Sequence, residues 1–389
     1  MLLRNKERLF SVLCALLSLF VYSCKNTADV VSLPVSLPTL PENGVVTSQM
    51  SSFFKKNDNA ILELSPDCEI EIVENEYKLK CGTVSEFPFS AKKKIKRIEY
   101  QTLFPSVAGS FSFFRILIPK KNNVEDAAFI LKYLKNEKLQ DSKKGNVYSY
   151  YEDSQFYFYG VFLPFSPLYE QDSYLLSVEM NFKDGEKAII QSTGVVEKNT
   201  FREQILKFPK GKSKDLQNAS RKKYNVQQAA RHELWKIVTQ PLTAGVWKIT
   251  KPLDNTSRMT SDFCFTRKWV LNNGKLYSKD VHLGVDYGVP TGTPIYSLLD
   301  GVVVSSGLQE LYGNMVIVNH GLGLYTNYCH MNKCLKKSDM LIKKGEVLGE
   351  VGMTGAATGP HLHIEARIYG IPIDYRKLEY LPQLFVVEP

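Results

Sequence analysis

Histidine is scarce in this chain, with six residues in all, and none lies between positions 61 and 196. That long stretch therefore lacks the side chain most used for proton transfer near neutral pH, which leaves it a structural or binding role. The apolar run Leu9–Tyr22 falls short of the roughly 20 residues that a membrane-spanning helix needs. Basic residues interleaved with aromatics and a helix-turn-helix pattern are both missing, so nucleic acid is not expected as a partner. A net charge of +9 is compatible with other anionic surfaces, an acidic membrane or a bacterial wall among them. Internal repeats and low-complexity segments are absent too. The H-E-x-x-H zinc signature begins at His232-Glu233 but fails at Lys236, where the second imidazole would stand. His232 is thus read as a surface residue of a helix.

What is present is divided along the chain. Arg4, Lys6 and Arg8 precede Leu9–Tyr22, the charge-then-apolar order of a secretory signal. The run ends in Val21-Tyr22-Ser23-Cys24 and resembles a bacterial lipoprotein signal. The resemblance implies cleavage after residue 23, lipid on Cys24 and attachment to a membrane of the cell envelope, facing the periplasm or the exterior. Residues 24–50, with Pro34, Pro38 and Pro41 among Ser and Thr, read as a tether. Residues 51–200 hold short alternating runs rich in Tyr, Phe, Ile and Val, at Ser110–Pro119, Asn146–Tyr151, Gln155–Leu163, Tyr174–Phe182 and Glu186–Gln191. Repeated short strands between turn residues argue a β-sandwich. Val124–Leu134 is the exception, with apolar spacing that suits a short helix. Residues 201–248 form a basic helical connector in which Asn225 can cap a helix carrying Val226, Ala229, Ala230, Leu234 and Ile237. Residues 249–389 return to short strands with many glycines.

The seven cysteines are spread unevenly. Cys68 and Cys81 flank two alternating runs, and a hairpin centred between Glu74 and Asn75 sets them opposite each other. A cross-strand disulfide between them is expected. Cys264, Cys329 and Cys334 are left without an assigned pairing.

Five of the six histidines fall between residues 282 and 363. In His282-Leu283-Gly284-Val285-Asp286, an imidazole and a carboxylate flank a glycine that lets the backbone bend tightly. In Gly359-Pro360-His361-Leu362-His363-Ile364-Glu365 the period is two, so on a strand His361, His363 and Glu365 share one face. Two imidazoles and one carboxylate are a ligand set for catalytic zinc, which keeps a fourth position open. The chemistry also needs a base, and the remaining histidines, among them His330, are candidates for it. Glu365 is a candidate partner for an imidazole N–H. His320, where a strand ends in a turn, is assigned a structural role.

Residues from about Thr260 to Tyr375 resemble the lysostaphin/LytM-type zinc endopeptidases, which cleave peptides of bacterial peptidoglycan. The motifs carrying the resemblance are Ser261-Asp262-Phe263, His282 to Asp286, Pro290-Thr291-Gly292-Thr293-Pro294, Asp300-Gly301-Val302-Val303, Tyr312-Gly313-Asn314, Tyr328 to His330, Lys344-Gly345-Glu346, Gly352-Met353-Thr354-Gly355 and Thr358 to Glu365. The resemblance implies His282, Asp286 and His363 as Zn ligands, His330 and His361 as catalytic histidines, and peptidoglycan as substrate. It also implies a mainly antiparallel β peptidase domain. The connector is similar to that of periplasmic members with an N-terminal immunoglobulin-like domain, so the expected architecture is sandwich, helical connector and peptidase. The alternative is a catalytically silent wall-binding or regulatory module on the same fold. One departure stands out: Cys264 occupies a position where the family has glycine, and a reshaped loop is expected there.

Overall fold

The computed structural model describes residues 69–73, 76–80, 97–101 and, with short interruptions, 106–382. The expected signal, Cys24 and the expected tether lie outside the described residues. The first hairpin pairs Glu69–Val73 with Glu76–Lys80 in the register centred on Glu74 and Asn75. Cys68 and Cys81 themselves are outside the described residues.

Two four-stranded antiparallel sheets follow. One runs Arg97–Gln101, Phe111–Pro119, Phe156–Pro164, Tyr148–Glu152, and the other Lys187–Val195, Ser173–Phe182, Val124–Lys135, Lys138–Asn146. Phe113, Phe158 and Phe162 from the first sheet and Phe129, Leu131, Leu176 and Val178 from the second belong to one buried core. This is the two-sheet layering that alternating runs dictate.

The expected helix at Val124–Leu134 is instead a twelve-residue strand. Its burial alternates strictly: Ala127, Phe129, Leu131 and Tyr133 are buried, while Ala128, Ile130 and Lys132 are exposed. Strands on both sides hydrogen-bond it, at Lys138–Asn146 and Ser173–Phe182. The larger side chains fall on the two-residue period, so tertiary pairing overrides a helical spacing made mostly by small residues. The edge strand Lys138–Asn146 has a polar sequence that offers almost no alternation to read.

The connector helix spans Arg221–Trp235, beginning a turn before Asn225, which therefore sits inside it rather than capping it. His232 is exposed on it, as expected. Before the helix, Glu203–Lys207 pairs in parallel with Thr266–Val270, which in turn pairs with Leu276–Val281. The C-terminal part is a ten-stranded antiparallel sheet. Its central order is Met259–Ser261, Val285–Tyr287, Leu362–Ile368, Leu324–Cys334, Gly313–Gly321, Gly301–Gln309. The sandwich packs on this sheet: the backbone N–H of Phe162 donates to the Tyr369 hydroxyl at 3.1 Å, and the rings of Phe129 and Tyr369 lie 4.8 Å apart.

Candidate metal centre

The centre is assembled where three strands run side by side. Asp286 on Val285–Tyr287 is directly opposite His363 on Leu362–Ile368, and Cys329 flanks His363 on the other side. His282 reaches them from the end of Leu276–Val281, held by its own N–H to Phe265 O at 2.9 Å and by Cys264 N–H to its carbonyl at 2.7 Å. Gly284 allows this approach. A Cβ there would stand 2.4 Å from Ile364 O and 2.8 Å from the His363 ring.

Three donor atoms converge. His282 Nε2 is 3.0 Å from Asp286 Oδ1 and 2.9 Å from His363 Nδ1, and His363 Nδ1 is 2.7 Å from Asp286 Oδ1. All three residues are buried. The second nitrogen of each imidazole is already committed. His282 Nδ1–H donates to Asp262 O at 2.7 Å, and His363 Nε2–H donates to Glu365 Oε1 at 3.1 Å. With those protons spent outward, the inward faces are lone pairs brought together, an arrangement that calls for positive charge among them, a proton or a metal ion. Ligand distances of about 2.0–2.2 Å around a tetrahedral ion set donor separations of about 3.3–3.6 Å, so a small outward shift of these side chains would admit one. The residues fit a metal.

The electrostatics carry the same demand. Burial pulls the His363 pKa down, but hydrogen bonds to Asp286 and Glu365, and their charges, outweigh it and push it up to about 9. Burial would raise the Asp286 carboxyl, yet the two imidazoles hold it well below the usual range. Its other oxygen accepts from Arg267 Nη2 at 2.6 Å, leaving Oδ1 for the centre. Glu365 is one of the most buried carboxylates possible, 1% exposed. Burial opposes its charge, and Arg367 and His363 hold it ionised. It is the imidazole partner that the period of two had offered.

His330 and His361 stand beside the three donors with ring centroids 4.7 Å apart. His330 Nδ1–H donates to Thr354 O at 2.8 Å and His361 Nδ1–H to Gly359 O at 2.8 Å. Each therefore keeps Nε2 as an acceptor, and that of His361 is 3.9 Å from Asp286 Oδ1. Burial, then the neighbouring His363 and His361, push the His330 pKa down to about 3, and burial lowers His361 as well. His330 adopts φ 57°, a left-handed conformation uncommon for residues other than glycine. The loop that holds it is locked by close approach: a Cβ on Gly313 would meet Thr354 O at 2.4 Å.

Cys264 takes φ 60° itself, fully buried, so a left-handed conformation is adopted here without glycine. Burial pushes its thiol pKa well above the ordinary value. Sequence reasoning gave no role to Arg267, Arg367, Thr354 or Trp235. Arg367 continues the period of His363 and Glu365 and could have been found that way.

His320 is different in kind. Both ring nitrogens are engaged, Nδ1 with Asp300 O at 2.7 Å and Nε2 with Thr326 Oγ1 at 2.8 Å, and burial holds its pKa down to about 4. Its folded pKa lies below the unfolded value near 6.5, so the unfolded chain binds the extra proton first. Stability contributed by neutral His320 is full above about pH 6.5 and is lost as pH falls toward 4. The loss is on the order of 3 kcal/mol. Urea midpoints measured across that window should fall with acid, and His320→Gln should flatten the slope; an unchanged slope would contradict this assignment.

Two imidazoles and one carboxylate form a sheet-borne cluster that could hold a metal ion, with two further one-sided imidazoles beside it. Residues 280–375 match the model of Peptidase family M23. Among its relatives, the DD-carboxypeptidase/endopeptidase Mpg of Neisseria meningitidis is 39% identical over 118 residues, 30% of this chain and 26% of that protein. The peptidoglycan DD-endopeptidase ShyA of Vibrio cholerae is 41% identical over 96 residues, 25% of this chain and 22% of that protein. The chain thus spans about a quarter of the length of the curated relatives it matches. The catalytic domain of lysostaphin from Staphylococcus simulans aligns with 28% identity over 28% of this chain and 81% of that one, with a TM-score of 0.24.

Proposed function

We propose that this chain is a zinc-dependent endopeptidase that hydrolyses peptide bonds of bacterial peptidoglycan, with His282, Asp286 and His363 holding the ion. The observation that carries the reading is the convergence of three donor atoms, with the second N–H of each of the two imidazoles directed outward. The names of the relatives, peptidoglycan DD-endopeptidases among them, support the substrate class. Zinc bound there would supply Lewis acidity, lowering the pKa of a water and polarising the scissile carbonyl.

The chain's own side chains do the rest. His330 and His361, kept neutral by burial, stand with ring centroids 4.7 Å apart, and each keeps an Nε2 lone pair. One accepts the proton of the attacking water and returns it to the departing amine; the other, its Nδ1–H spent on a backbone carbonyl, accepts from the second hydrogen of that water and orients it. Arg267 fixes the Asp286 carboxylate, and Thr354 O and Gly359 O fix the two imidazole tautomers. The lipoprotein-like run ending at Cys24 supports a chain anchored by lipid in the cell envelope, where this substrate lies.

The test is zinc content of the purified protein together with mass spectrometry of peptidoglycan digested by it. About one zinc per chain and new peptide termini, abolished by a chelator and restored by zinc, are expected. Intact cross-links after digestion by zinc-loaded protein would overturn the activity and leave the silent wall-binding alternative. Fatty-acid labelling that disappears in Cys24→Ser checks the anchor.

A further inference from the structure

On Leu362–Ile368 the two-residue period places three ionisable side chains on one face. His363 Nε2–H donates to Glu365 Oε1, and Glu365 Oε2 accepts from Arg367 Nε at 2.8 Å and from Asn327 Nδ2 at 3.0 Å. Arg367 also donates through Nη1 to Gly370 O at 3.0 Å. Its guanidinium lies over the Trp235 ring, 4.1 Å from the centroid. Trp235 is the last residue of the connector helix, is buried, and falls outside the stretch that matches the peptidase family. Among the described residues its indole N–H has no hydrogen-bond partner. It is the ring face that is used.

A carboxylate this deeply buried is a fixed orienting group only if its counter-charge is fixed as well. Arg367 is pinned in its own plane by Glu365 and Gly370, and across that plane by the indole, a cation–π contact strengthened by the absence of solvent. Take the ring away and the guanidinium gains freedom to tilt, and Glu365 with it. The imidazole N–H partner of a metal-ligating histidine sets ring orientation and basicity, and its loss costs about 10- to 100-fold in metal affinity.

We propose that Trp235 is a positioning residue for the ligand His363, acting through Arg367 and Glu365, so that the connector helix sets the metal affinity of a centre it does not touch. This rests on the metal-centre reading above.

The experiment is zinc affinity by competition with a chromophoric chelator, on the purified full chain, for Trp235→Phe and Trp235→Met. Phenylalanine keeps a ring face and should stay within about 3-fold of the unchanged protein, while methionine fills the space without one and should bind about 10-fold more weakly. A role in packing alone would lower the melting temperature of both variants and leave zinc affinity unmoved. Equal affinity for Trp235→Met and the unchanged protein, or equal weakening in both variants, would overturn the proposal. If Trp235→Met does not fold, Arg367→Lys takes its place. It should lose about 10-fold in affinity, and adding Trp235→Phe should change nothing further; an additive loss would overturn the proposal. Absence of zinc from the unchanged protein would instead refute the metal reading itself.

Discussion

His363→Ala is expected to strip the metal and bring peptidoglycan hydrolysis to background, whereas His330→Ala should retain the metal and lose about 10³-fold in kcat. The contrast follows from which nitrogen faces what. His363 Nδ1 is one of the three converging donors, within 2.9 Å of both others. Removing it leaves His282 and Asp286, two ligands where a catalytic site needs three. His330 Nε2 is not one of the three, and its removal leaves the donor set intact while deleting a proton acceptor. Metal content and turnover measured on the same preparations separate the two roles. A His363→Ala protein that keeps metal and full activity would refute the ligand assignment, and loss of metal in His330→Ala would refute the division of labour.

The second large effect is expected from a single methyl group. Gly284→Ala introduces a Cβ 2.4 Å from Ile364 O, a backbone atom in the middle of the sheet, and 2.8 Å from the His363 ring. Neither neighbour can yield cheaply, because Ile364 is paired with Val285 on the adjoining strand and His363 is held at both nitrogens. Overpacking of this kind costs about 1–3 kcal/mol, and displacing a reacting group by an ångström costs about 10²-fold in rate. Gly284→Ala should therefore be a folded, less stable protein with activity reduced at least about 100-fold. Zinc affinity should fall with it. Unchanged turnover would show that the His282–Asp286 turn tolerates a side chain, contrary to the approach distance.

The centre was legible in the sequence because its chemistry is written in short spacings. The two-residue period of His361, His363 and Glu365 states which side chains share a strand face; His363 and Glu365 lie on the strand Leu362–Ile368, and His361 in an isolated bridge to Gly352 just before it. The turn from His282 to Asp286 needed only the glycine between them. Elsewhere the information is tertiary. Val124–Leu134 has helical spacing, yet its neighbours are strands on both sides, and no local pattern contains that fact. Lys138–Asn146 is a strand only because Val124–Lys135 offers it a ladder. Trp235 lies far along the chain from Arg367, and nothing in the spacing joins them. Cys264 shows a different limit: a side chain makes a left-handed backbone harder to reach only as a preference, and Cys264 adopts one with its N–H bonded to His282 O and its side chain fully buried.

The parallel pairing of Glu203–Lys207 with Thr266–Val270 bears on how the catalytic part can be isolated. A fragment beginning at residue 249 would leave Thr266–Val270 as an open edge, its N–H and C=O groups unpaired on one side. Such an edge templates association with other chains. It would also remove Gln204, whose side-chain oxygen accepts from Ser261 Oγ at 3.0 Å, and Ser261 in turn accepts from Arg267 at 2.9 Å. The smallest well-behaved fragment carrying the candidate centre therefore starts upstream of residue 203, with the strand Glu203–Lys207 sealing the sheet from whose end His282 reaches that centre.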